Sequence, residues 1–123
     1  MSNASFQPPL DKKPWEGILD GTIDGPPCIQ LNQFNESQVV GSEDCLTLNV
    51  YTPELPSTGN DRLSPELPST GNDRLRPVLV YIHGGRWLVG TASSKAYSPI
   101  YLMDQDIVVV SIQYRLGALG FLR

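Results

Sequence analysis

The sequence predicts an α/β fold, and three observations carry that prediction. Two runs, Val78-Leu79-Val80-Tyr81-Ile82 and Ile107-Val108-Val109-Val110-Ser111-Ile112, are almost continuously apolar and rich in β-branched residues. Such runs suit central strands covered on both faces. The segment between them includes 91–106, long enough for a right-handed crossover between parallel strands. A third run, Cys45-Leu46-Thr47-Leu48-Asn49-Val50-Tyr51, alternates apolar and polar residues as a half-buried strand does.

In chain order, the first thirty residues carry Pro8-Pro9, Pro14 and Gly25-Pro26-Pro27. They predict an extended lead-in with one short apolar anchor, Trp15 to Leu19. Pro53 ends the alternating strand, because proline cannot donate to a ladder. An eleven-residue unit from Pro53 to Leu63 then recurs unchanged from Pro65 to Leu75, with Ser64 between the copies. A solenoid unit needs an apolar face and at least three copies. Two copies made mostly of Pro, Ser, Thr, Gly, Asn and Asp instead predict one surface loop written twice over 53–75. Doubling a flexible loop costs only about 0.6 kcal/mol in closure entropy. Identity of the copies fits a recent tandem duplication or an error in the assembled sequence. Pro77 opens the second strand and Gly84-Gly85 closes it. Ala92-Ser93-Ser94-Lys95-Ala96 permits a short helix, which Pro99 cuts.

Composition narrows function by exclusion. A chain of 123 residues is one domain at most. A net charge of −4 provides no basic surface, so neither nucleic acid nor anionic membrane is an expected partner. The apolar runs, Ile107 to Val110 among them, are far too short to span a bilayer. Residues 1–5 lack the basic and apolar regions of a signal peptide. The chain is therefore expected to be cytosolic, or its leader lies outside this sequence. Two cysteines, Cys28 and Cys45, are too few for a disulfide scaffold or a four-ligand metal site, and no ligand cluster stands out, so no metal is expected. They either pair, at a worth of roughly 3 kcal/mol in the chain-entropy model, or remain two buried thiols; spacing leaves both open. Asn35-Glu36-Ser37 and Asn3-Ala4-Ser5 fit the glycosylation acceptor pattern, with Asn35 the candidate.

His83-Gly84-Gly85-Arg86 is the segment that carries chemistry. A strand ends and two glycines follow, allowing a tight turn and bringing backbone N–H groups close to a ligand. Such groups stabilise the negative oxygen formed when an acyl carbon is attacked. The bland reading is a plain strand-ending turn.

Four further stretches bear on that choice. Ser42-Glu43-Asp44-Cys45-Leu46-Thr47-Leu48-Asn49-Val50-Tyr51-Thr52-Pro53 resembles a signature of the type-B carboxylesterase family, which includes cholinesterases and insect esterases. Tyr114-Arg115-Leu116-Gly117-Ala118-Leu119-Gly120-Phe121-Leu122 resembles a second stretch of that family. Pro14-Trp15-Glu16-Gly17 and Gly25-Pro26-Pro27-Cys28 resemble two more, and the order matches throughout. The resemblance implies an α/β-hydrolase fold, of which these residues supply only the N-terminal strands and oxyanion loop. It also implies a serine esterase acting on a small-molecule ester through a Ser-Glu/Asp-His triad, a mechanism that needs no metal or cofactor. No Gly-x-Ser-x-Gly turn occurs here, and His83 is the only histidine. The family's triad lies downstream of the match to Phe121, so residues 1–123 are expected to be an incomplete N-terminal part of such a domain, inactive alone. His83 is expected to pack or hydrogen-bond at the strand end rather than act as the base.

The match makes Gly85 and Arg86 backbone N–H donors, with Gly84 allowing the turn. Arg86 departs from the family's usual glycine or alanine. If the position needs φ > 0, arginine is strained there; otherwise its guanidinium narrows the acyl pocket or favours an anionic substrate. The resemblance also implies a Cys28–Cys45 disulfide and hence an oxidising compartment, secreted or extracellular. It makes Glu43 and Arg115 members of two salt bridges whose partners lie outside the chain, leaving both unpaired here. A non-catalytic esterase-like adhesion ectodomain, or a remnant without activity, are the competing readings. With so little helix to cover it, the predicted sheet should leave apolar faces bare.

Overall fold

The computed structural model describes residues 5–32, 34–53 and 75–122, with the Glu36 side chain set aside. The 53–75 repeat, apart from Pro53 and Leu75, lies outside the described residues, as does Asn3.

Five strands and two short helices follow one another: β1 (Gln30–Asn32), β2 (Asn35–Val40), β3 (Leu48–Tyr51), β4 (Val78–Ile82), α1 (Ile100–Met103), β5 (Val108–Ile112) and α2 (Gly117–Phe121). The second sheet has the order β3-β5-β4. As the crossover argument predicts, β4 and β5 are parallel, with Val78 opposite Val108 and Ile82 opposite Ile112. β3 joins the other edge of β5 antiparallel, Leu48 opposite Ile112. β3 is three residues shorter than its alternating pattern, because Cys45 is tied to Cys28. The chain leaves that corner through a tight turn, Thr47 N donating to the Cys45 carbonyl at 2.7 Å.

The two faces of this sheet differ sharply. Since side chains alternate along a strand, Asn49, Tyr51, Leu79, Tyr81, Val109 and Ser111 share one face. The crossover covers it. Ala92 is buried, and its carbonyl accepts from Ser111 Oγ and Asn49 Nδ2, both at 3.1 Å. Tyr97 stacks obliquely on Tyr81, ring centroids 5.0 Å apart. The opposite face carries Leu48, Val50, Val78, Val80 and Ile82, each between 56% and 61% exposed. The expected bare apolar face is thus the outer one, and in β3 it is the polar residues that turn inward. Fully covering one such aliphatic side chain is worth roughly 1.5–3 kcal/mol. Residues 1–123 produced alone are therefore expected to aggregate or to melt without a cooperative transition. A monodisperse preparation with a sharp calorimetric peak would contradict this.

Asp24 fastens the lead-in to the crossover. Its carboxylate accepts from Ser93 Oγ, Ser94 N and Ser94 Oγ at 2.8–2.9 Å, and from Asn49 Nδ2 at 3.0 Å. Burial pushes its carboxyl up, but the hydrogen bonds from Ser94 and Ser93 outweigh that and hold it below the ordinary carboxylate value. This bond set relocates the crossover helix. With Ser93 and Ser94 engaged, residues 93–97 form a turn, Ala96 N and Tyr97 N both donating to the Ser93 carbonyl. The helix starts after Pro99 instead of ending before it, with Pro99 as its N-cap. Proline tolerates that end, where its missing N–H is no loss.

Two elements have no counterpart in the sequence reading. β1 and β2 form an antiparallel hairpin, Gln30 opposite Val40, with a bulge after Leu31. Asn32 Oδ1 accepts from Phe34 N and shapes its turn. α2 is a single turn of helix. Trp15, Ile18 and Leu19 stand exposed and anchor nothing among the described residues. The lead-in is instead held at its ends, at Asp24 and at residues 5–7 near the disulfide.

Candidate active site at the ends of β4 and β5

Open α/β sheets bind ligands in crevices outside the carboxyl ends of their strands. Ile82 and Ile112 end the parallel pair side by side. Beyond them opens a cleft of about 630 Å³, walled by Ile82 through Trp87 on one side and by Ile112, Tyr114 and Phe121 on the other. Aromatic rings line it. Phe121 meets Trp87 edge-on at 6.4 Å and Tyr114 at 6.5 Å. Arg86 is the cleft's only charged lining residue among those described, apart from the titratable His83.

The backbone of the turn is left-handed. Gly85 has φ +122°, Arg86 +54° and Trp87 +61°. The Gly85 carbonyl accepts from Leu88 N at 3.0 Å and Val89 N at 3.1 Å. Positive φ at both central residues is the mark of a type I′ turn, which favours glycine or asparagine. Here the residues are arginine and tryptophan, and left-handed backbone costs an ordinary residue roughly 1–2 kcal/mol. The first alternative raised for Arg86 therefore applies. Gly84 is not among the residues of positive φ, so the turn is made at 85–87 and not at Gly84. The N–H groups of Gly84, Gly85 and Arg86 donate to no acceptor among the described residues.

Neighbours hold this conformation in place. Gly117 N donates to the Trp87 carbonyl at 2.7 Å. Gln30 clasps Gly90, its Nε2 donating to the Gly90 carbonyl and its Oε1 accepting from Gly90 N, both at 2.7 Å. Gly90 has φ +137°, and a Cβ there would overlap the His83 ring and the Gly84 carbonyl. Such over-determination is what lets strained backbone persist. Arg86→Gly is expected to stabilise the folded full-length protein by about 1 kcal/mol, read as a raised denaturation midpoint. A lowered midpoint would mean that the arginine side chain makes contacts worth more than the strain.

His83 is 2% exposed and sandwiched. Its ring stacks on Tyr114 at 4.3 Å, and Tyr114 Oη donates to the His83 carbonyl at 2.6 Å. Nδ1 lies 2.8 Å from the Gly84 carbonyl, which can only accept, so Nδ1 carries the hydrogen. Nε2 is buried and has no partner among the described residues. A ring enclosed in this way braces the strand end; it is not presented to a substrate.

The remaining sequence candidates lie elsewhere. Cys28 and Cys45 form a disulfide, Cα atoms 5.0 Å apart, and pack with Leu116 and Tyr114 in a small core. Glu43 and Arg115 border that same core and are not left unpaired. Ser5 Oγ donates to both Glu43 oxygens at 2.8 and 3.0 Å, and Arg115 Nη1 donates to the Gln7 carbonyl. The chain around residues 5–7 folds back over the disulfide corner and supplies these partners. Asn35 is exposed at the start of β2. No group of three His, Cys, Asp or Glu among the described residues could hold a metal ion. No helix among them is long and apolar enough to cross a membrane. Gln30, Gly90 and Tyr114 belong to the site but were not singled out from sequence. A glycine five residues after Gly85 was the only local signal, and nothing local ties it to a glutamine sixty positions away.

The family model "Carboxylesterase family" matches residues 1–123. Juvenile hormone esterase of Tribolium castaneum is 42% identical over 123 residues, covering 99% of this chain and 18% of that protein. Esterase E4 of Myzus persicae is 41% identical over 124 residues, covering 98% and 20%. Among solved structures, Manduca sexta juvenile hormone esterase with OTFP covalently attached superposes with a TM-score of 0.68 at 34% identity, over 95% of this chain and 19% of that one. A thermophilic PNB esterase gives 0.72 at 32% identity, over 98% and 23%. This chain thus spans about a fifth of the length of the relatives it matches. Its strands, cleft and turn are part of an α/β-hydrolase fold, and the chain belongs to the carboxylesterase family.

Proposed function

We propose that this chain supplies the oxyanion-binding turn of a carboxylic ester hydrolase. On this reading residues 1–123 are part of a type-B carboxylesterase domain whose nucleophile, base and orienting carboxylate lie outside them. The observation that carries it is the trio of N–H groups at Gly84, Gly85 and Arg86, unspent among the described residues, at the edge of an aromatic-walled cleft. When a nucleophile attacks an ester carbonyl, negative charge gathers on the carbonyl oxygen. Fixed N–H dipoles lower that barrier most, because they need no reorganisation as charge develops. The type I′ turn and its clamps supply that rigidity. Only the aligned backbone is needed, so Arg86 does not remove the donor. His83 is enclosed and supports the turn, leaving proton transfer to another histidine of the whole protein. The apolar cleft favours a small-molecule ester with an apolar acyl or alcohol part.

The disulfide supports residence in an oxidising compartment, where exposed Asn35 would be an acceptor for a glycan.

The test is to produce the full-length protein, measure hydrolysis of p-nitrophenyl butyrate, and label it with a fluorophosphonate. Turnover and one labelled serine outside residues 1–123 are expected. Neither turnover nor label would sink the reading and favour a non-catalytic binding module.

A further inference from the structure

We infer that Gln30 is a positioning residue for the oxyanion turn, an inference that rests on the ester-hydrolase reading above. Gln30 makes no contact with the cleft. Its carboxamide nevertheless pairs with Gly90 as one peptide group pairs with another, donor to carbonyl and N–H to acceptor, both at 2.7 Å. It is 9% exposed, so these bonds are made out of competition with water. The same Nε2 also donates to the Cys28 carbonyl at 3.0 Å. Cys28 is in turn fixed to Cys45 and bridged to Ser42. Gln30 is therefore held at its base by the disulfide corner and holds Gly90 at its tip.

Gly90 is where the turn returns against its own beginning. With no room for a Cβ between it and the His83 ring or the Gly84 carbonyl, its position sets where residues 83 and 84 lie. The chain from Gly85 to Val89 is closed by Val89 N donating to the Gly85 carbonyl. A shift of Gly90 thus moves both ends of the segment bearing the N–H groups of Gly84, Gly85 and Arg86. Donors aimed at a developing charge act through position alone, so this movement reaches the chemical step without touching substrate. The consequence is selective: kcat depends on Gln30, while KM, set by the apolar walls, does not.

Gln30→Glu in the full-length protein tests this. A protonated carboxylic acid keeps one donor and one acceptor, so it can replace the carboxamide's pairing with Gly90 but not the second donation to the Cys28 carbonyl. A carboxylate keeps only acceptors, and would face the Gly90 and Cys28 carbonyl oxygens. Burial and those oxygens raise the pKa of a glutamate placed there. The ratio of variant to unmodified kcat, per active site titrated with fluorophosphonate, should be highest at low pH. It should fall by about 10-fold or more as the introduced acid ionises, with KM little changed. Gln30→Leu, which cannot make either bond, should show the low kcat at every pH.

A ratio flat across pH, or an unchanged kcat per titrated site in the leucine variant, would overturn the inference and leave the hydrolase reading standing. Absence of turnover in the unmodified protein would overturn that reading and the inference with it.

Discussion

Alanine in place of Gly85 is expected to lower kcat for ester hydrolysis by the full-length protein by about 100-fold or more. Gly85 has φ +122°, a region that residues with a Cβ rarely adopt, and an added Cβ would run into the Val89 backbone carbonyl. That neighbour is backbone and cannot rotate away. The turn must open, the Val89 N to Gly85 carbonyl bond is stretched or lost, and the N–H groups of 85 and 86 swing from the cleft. Gly21→Ala, away from the cleft, is the matched control for folding. Its φ is not positive, and an added Cβ there meets nothing within 4 Å among the described residues. Denaturation midpoints of both variants, with kcat counted per titrated active site, separate a misaligned turn from a smaller folded population. Normal kcat in Gly85→Ala would mean that the oxyanion is held by other donors.

Removing the disulfide should produce the largest change in stability. The bond closes a loop of sequence separation 17, and a loop of that size is worth about 3 kcal/mol in the chain-entropy model. Its two cysteines are also fully buried, packed with Leu116. Cys28→Ala with Cys45→Ala should therefore lower the urea midpoint of the full-length protein, and reductant should move the unmodified protein toward the same value. A midpoint indifferent to both treatments would mean that the β1–β2 hairpin, already folded between the two cysteines, closes the loop by itself.

The hairpin and the disulfide also illustrate what could be read in advance. β4 and β5 stood out because four or five consecutive apolar, largely β-branched residues have few other uses in a chain of this composition. Their parallel pairing followed from the length of the segment between them. The hairpin did not stand out, because Gln30–Asn32 and Asn35–Val40 are short, mostly polar and lack an alternating face. Local propensity at 92–96 favours a helix before Pro99, whereas hydrogen bonds from Ser93 and Ser94 to the distant Asp24 hold that stretch as a turn and the helix follows Pro99. The glycines after β4 were legible as a turn. Its left-handed arginine and tryptophan were not, since positive φ at such residues is imposed by neighbours and leaves no local trace.

The sequence by itself determined the fold class, the family and the glycine turn that follows β4. Strand periodicity, glycine spacing and motif order are properties of neighbouring residues and survive without coordinates. Tertiary structure alone decided which face of the sheet is bare, which residues bend the turn, and that His83 is enclosed by Tyr114. It also paired Gln30 with Gly90 and gave Glu43 and Arg115 their partners in residues 5–7. Each of these rests on contacts between segments tens of residues apart. Their energy depends on where the chain returns, and that is decided only when the whole set of hydrogen bonds and packed side chains is satisfied together.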